Sequence, residues 1–177
     1  SVPRLAPASG VDITVVAGAL DGVMPPAPPP HSYASRRGSD VAIWVVDMAA
    51  GASWELPPAP AGVNRFLYAY QANGAQVAGN RIERPSVVAL DATATVPLRA
   101  SETPACFLML QGRPIGEPVA QYGPFVMNTR EEIQRAFDDY RRTQFGGWPW
   151  PAPDPVNGRE GRFVRRPDGT VERPAPW

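Results

Sequence analysis

An all-β domain followed by a single helix is the fold that this sequence predicts, and three observations carry the expectation. About eight short apolar runs, separated by turn residues, occupy the stretch up to residue 112. No helical pattern lies between them, which removes the crossover connections that a parallel sheet needs. A capped stripe of helical period then begins at Thr129. The predicted architecture is an antiparallel β-barrel or jelly roll carrying a C-terminal helix.

The runs can be taken in order. VDITVVAGA (11–19) is followed by GVMPPAPPPHSYASRRGSD (22–40), a loop too rich in proline to be a central strand, because proline lacks the ladder N–H. VAIWVVDM (41–48), ASWELP (52–57), RFLYAYQA (65–72) and AQVAG (75–79) come next, then SVVALD (86–91), ATVPLRA (94–100) and ACFLMLQG (105–112). Asn73-Gly74 predicts a hairpin turn between the fourth and fifth runs, since both residues tolerate positive φ. Thr129-Arg130-Glu131-Glu132 has the form of a capping box, with the Thr129 hydroxyl facing the Glu132 amide. Ile133, Ala136, Phe137 and Tyr140 then make one apolar stripe, which must dock on something, most simply the barrel. Gly146-Gly147 marks the helix end. In the tail, RFVRRPDGTVER reads as an exposed hairpin turning at Pro167-Asp168-Gly169. The expected organisation is a barrel over 1–112, a connecting segment and helix over 113–146, and a proline-rich tail over 147–177.

Composition narrows function chiefly by exclusion. Seventeen basic and seventeen acidic residues cancel, so no overall field favours nucleic acid or an anionic membrane. All the basic residues are arginines, a bias that suggests a GC-rich bacterial genome. Within the tail, Arg159, Arg162, Arg165, Arg166 and Arg173 are offset by Asp154, Glu160, Asp168 and Glu172, which argues against a nucleic-acid arm. The single Cys106 excludes an internal disulfide framework. No apolar run approaches the roughly 20 residues of a membrane span, and SVPRLAPASG lacks a signal-peptide layout. The expectation is a soluble cytoplasmic protein.

Few residues offer chemistry. His31 is the sole histidine and sits in the proline-rich loop, where an ordinary loop role is expected. Cys106 opens an apolar strand without a cationic neighbour in sequence and reads as a buried inert thiol. Glu131/Glu132 and Asp138/Asp139 are adjacent on a helix and diverge, so they read as a solvated face. Glu117 is flanked by apolar and turn residues, which points to a hydrogen bond with backbone amides. Phe66, Tyr68 and Tyr70 alternate along one strand and share a face; the expectation is that they fill the barrel, and the alternative is that with Glu117 they line a barrel cavity able to hold a flat ligand.

The stretch GRPIGEPVAQYGPFVMNTREEIQRAFDDYRRTQFG (112–146) closely resembles the C-terminal segment of the pirin family, through LMLQGRPI, EPV and GPFVMNT ahead of the helix. GASWELP and NRFLYAYQANGAQVAG are similar, more loosely, to the second cupin barrel of that family. The resemblance spans roughly 11–146 and implies a cupin-type barrel. Pirins are bicupins whose iron sits in the first cupin on three histidines and a glutamate, two of the histidines in a His-x-His pair. No such pair occurs in this sequence, so no iron ligand is carried over and no cofactor is expected for this chain. The resemblance implies the metal-free second cupin. Its partner would be an iron-bearing N-terminal cupin of the same protein, or a second copy of the chain. The family activities that the resemblance implies, iron-dependent quercetin 2,3-dioxygenase chemistry and redox-sensitive binding of transcription regulators, would require the other half.

Overall fold

The computed structural model describes residues 2–151 and 161–174; the stretch 152–160, with Asp154, Arg159 and Glu160, lies outside the described residues. The chain divides into two compact units, one ending at Gly116 and the other beginning at Glu117.

The first unit is built from ten antiparallel strands: β1 (Arg4–Ala8), β2 (Val11–Ala17), β3 (Ala42–Met48), β4 (Ser53–Leu56), β5 (Asn64–Gln71), β6 (Gln76–Val77), β7 (Asn80–Arg81), β8 (Ser86–Ala89), β9 (Val96–Arg99) and β10 (Ala105–Gly112). They form a six-stranded sheet in the order β1-β2-β3-β10-β5-β8 and a four-stranded sheet in the order β4-β9-β6-β7. Period-two alternation selects the core. Val11, Ile13 and Val15 of β2, Trp44 and Val46 of β3, Leu67 of β5 and Phe107 and Met109 of β10 are buried, and Leu56, Val77, Val96 and Leu98 of the smaller sheet join them in one cluster. Full burial of each large side chain stabilises the barrel by about 1.5–3 kcal/mol. The expected antiparallel barrel is the fold observed.

Three local expectations need correction. Residues 4–8 form an edge strand, which the sequence hid because Pro7 reads as a breaker; an edge is where proline is tolerated. Asn73-Gly74 does turn, with the Ala75 amide donating to the Ala72 carbonyl at 3.0 Å. It joins two different sheets, however, and β5 pairs instead with β10 and β8; the hairpin here is β6–β7. The helix ends earlier than Gly146, at Gln144, which adopts φ of 50°.

In the second unit, β11 (Ala120–Tyr122) and β12 (Phe125–Met127) form a hairpin that leads into α1 (Arg130–Thr143). Both halves of the capping box are present: the Glu132 amide donates to Thr129 Oγ1 at 3.2 Å, and the Thr129 amide donates to Glu132 Oε2 at 2.9 Å. The apolar stripe expected on the barrel meets this local hairpin. Phe137 lies edge-on to Phe125 at 4.8 Å and to Tyr122 at 5.7 Å between ring centroids. Asp138 pairs with Arg141 and Asp139 with Arg142 on the solvated side. The tail hairpin, β13 (Val164–Arg165) and β14 (Val171–Glu172), turns where expected, the Thr170 amide donating to Asp168 Oδ1 at 2.9 Å. Among the described residues no helix is long and apolar enough to cross a membrane.

Candidate functional site

The six-stranded sheet is apolar on both faces. Alternation sends one set of side chains into the core, and the other set should be polar if it met only water. Instead the outward set forms two apolar rows. Register pairs Val45 with Leu108, Leu108 with Tyr68, and Tyr68 with Val87. One step along, Ile43 faces Leu110, Leu110 faces Phe66, and Phe66 faces Ala89. Tyr68 is 36% and Val87 55% exposed, so large apolar area is open toward the β8 edge. A depression of about 290 Å³ lies there, bordered by Tyr68, Tyr70, Pro85 and Val87. On β2 and β3 the same face runs into an apolar groove of about 680 Å³ under the proline-rich loop, between Val16, Ile43, Met24 and Pro26. Continuous apolar surface of this kind marks an interaction face.

The rim of the face is polar. Asp12 is opposite Asp47, which is opposite Cys106. The Cys106 thiol lies among the side chains of Asp47 and Tyr70, and each of these groups bears on its protonation. Partial burial and then Asp47 push the thiol pKa up, against the opposing contact from Tyr70. The Tyr70 phenol is raised too, by burial first and then by Cys106 and Asp47.

A second polar cluster lies where β3 and β5 begin and β10 ends. Arg65, inward on β5, is 2% exposed. Its Nη1 donates to the Pro57 carbonyl at 2.6 Å and its Cζ lies 5.9 Å from the centre of the Trp44 ring, whose Nε1 donates to the Gly18 carbonyl. Above it, Arg113 pairs with Asp40 at 2.7 Å and donates to the Ala61 carbonyl. A strap, residues 57–63, therefore closes this end between the two arginines.

The sequence-predicted residues fall as follows. Phe66, Tyr68 and Tyr70 do share a face, but it is the outer one; Arg65, Leu67 and Ala69 occupy the interior phase. Tyr68 and Tyr70 border a surface depression, and none of the three aromatics points into the barrel interior. Glu117 belongs to the other unit, where it is exposed and accepts from the side-chain amide of Asn128 at 2.8 Å, in place of the expected backbone amides. His31 is exposed in its loop. Arg65 was missed, since an arginine at the start of a strand reads as a solvated end. The iron ligand set implied by the resemblance does not fit these residues: there is one histidine, and no group of three His, Cys, Asp or Glu that could hold a metal occurs among the described residues.

Comparison with known proteins agrees with this fold. Residues 43–146 match the family model described as the pirin C-terminal cupin domain. The chain is 36% identical over 146 residues to a pirin-like protein of Caulobacter vibrioides, covering 82% of this chain and 49% of the relative. It is 37% identical over 93 residues to rat pirin, covering 50% of this chain and 32% of that one. A crystal structure of quercetin 2,3-dioxygenase from Acinetobacter baumannii is similar at TM-score 0.68 and 28% identity, over 82% of this chain and 48% of that one. The chain spans about half the length of the first curated relatives it matches.

Proposed function

Because the chain belongs to the pirin family, as its C-terminal cupin domain, we propose that it acts as the metal-free supporting half of a two-barrel protein. The outer apolar face of its six-stranded sheet docks against an iron-bearing N-terminal cupin. The observation that carries this reading is the pair of apolar rows through Val45, Leu108 and Tyr68 and through Ile43, Leu110 and Phe66. Such a face is what a barrel needs when a second barrel covers it, and about half of each of the first relatives' length lies outside the match to this chain. Without that partner, two copies of the chain pair through the same face. The iron belongs to the N-terminal half, because the donor set here cannot reproduce three histidines and a glutamate.

A second reading concerns the longer protein: an iron-dependent quercetin 2,3-dioxygenase, of which this chain is the non-catalytic part. The likeness to the Acinetobacter baumannii dioxygenase structure favours it. The test of the first reading is light scattering during gel filtration, for the chain alone and mixed with a separately expressed pirin N-terminal cupin. Tyr68→Glu should leave the chain folded, keep it monomeric and abolish the mixed complex. If Tyr68→Glu associates as the unaltered chain does, or if the unaltered chain neither self-associates nor binds, docking through this face is wrong.

A further inference from the structure

Arg65 is an anomaly that the docking role does not use. It is inside the barrel, 2% exposed, and among the described residues no carboxylate pairs with it. One of its three nitrogens, Nη1, is satisfied by Pro57. The other two, Nε and Nη2, are buried without a hydrogen-bond partner. Those two share one edge of the guanidinium, the edge that holds a carboxylate through two parallel N–H···O bonds. A third unpaired polar atom lies on the neighbouring strand: Gln111, directly opposite Arg65, keeps its Oε1 buried and unpaired while its Nε2 donates to the Asp40 carbonyl. Arginine cannot shed its proton to escape burial, so an unpaired guanidinium edge in a core is costly and is kept only where something repays it.

We infer that this end of the barrel is a binding site for a small carboxylate that also carries a hydroxyl or amide donor. The carboxylate takes the Nε–Nη2 edge of Arg65, and the donor meets Gln111 Oε1. A free small molecule is the source favoured over a side chain of a partner protein. The strap over residues 57–63 already covers the site, tied by Arg65 to Pro57, by the Ala59 amide to the Ala92 carbonyl, and by Arg113 to Ala61. Only something small enough to slip in as those three bonds open and reclose can reach the guanidinium. The site is separate from the outer docking face and requires no metal.

The experiment is a thermal-unfolding titration of the 177-residue chain with acetate, lactate and malate at constant ionic strength, with chloride and inorganic phosphate as comparators. One hydroxycarboxylate should raise the melting midpoint by about 5–10 °C at a hundredfold excess over its dissociation constant. Arg65→Met should abolish that rise and leave the ligand-free midpoint equal or higher, as happens when an unpaired buried charge gives way to an apolar chain of similar length. Arg141→Met, on the exposed face of α1, should keep the rise. If Arg65→Met fails to fold, the Nε–H resonance of Arg65 serves instead; it should move downfield on ligand addition. The inference is overturned if no carboxylate shifts either the midpoint or that resonance. It is equally overturned if phosphate acts as well as the carboxylates, or if Arg65→Met retains the response.

Discussion

Replacing Thr129 with alanine tests how the second unit is held together. The substitution deletes the hydroxyl that receives the Glu132 amide at 3.2 Å. The reciprocal bond, from the Thr129 amide to Glu132 Oε2 at 2.9 Å, survives geometrically but loses its counterpart. Loss of a threonine N-cap costs about 1 kcal/mol, or about a fivefold rise in the opening constant of the helix. Helix α1 buries only Ile133 and Ala136, so little tertiary burial masks that change. The assay is native-state amide exchange under conditions where opening is rapidly reversed, comparing α1 amides with the β5 and β10 ladders as internal reference. In Thr129→Ala, amides from Ala136 to Thr143 should exchange about fivefold faster, and Thr129→Ser should restore most of the protection. If the α1 amides change less than about twofold, or Thr129→Ser loses as much as Thr129→Ala, the capping argument fails.

Three further outcomes follow from the barrel. Leu67→Ala, at a fully buried position of β5, should cost about 3–4 kcal/mol in urea unfolding, since the sheets on either side cannot collapse to fill the space; a loss under about 1 kcal/mol would mean that the core is not packed as described. Cys106 should react with an aromatic disulfide reagent at about pH 8 more slowly than a free thiol, and Asp47→Asn should speed it, because Asp47 helps keep the proton on sulfur. The Cys106 and Tyr70 protons are both held in the folded chain at pH values where the unfolded chain has lost them. Stability therefore falls as pH rises above the usual thiol range and on through the phenol range; a urea midpoint that stays flat across that alkaline window would contradict the assignment.

The strands were legible because apolar and polar residues alternate in stretches such as VDITV and VPLR, and Thr129 with Glu132 announced the helix start. What could not be read was phase and partner. In NRFLYAYQ both phases carry apolar or aromatic residues, so nothing local says whether Phe66, Tyr68 and Tyr70 or Leu67 and Ala69 face inward. The sheet decides it, since β10 and β8 lie on either side of β5. A signal for the apolar outer face was nevertheless present: AIWVV and CFLML are continuous apolar runs, the pattern of strands covered on both sides. Arg65 carried no such signal, because its burial depends on the strap at 57–63 and on Trp44, residues brought to it only by folding.

The position of β10 has a consequence for synthesis on the ribosome. It is the last strand of the barrel to be made, yet it lies between β3 and β5 at the centre of the larger sheet. A nascent chain that has completed β1-β2-β3 and β5-β8 holds two partial sheets, each with a long unpaired edge waiting for the same missing strand. Those edges are templates for one another and for neighbouring chains. The barrel therefore cannot close in stages from its N-terminus. A chain stopped before Ala105 would be aggregation-prone in a way that one stopped after Gly112 is not.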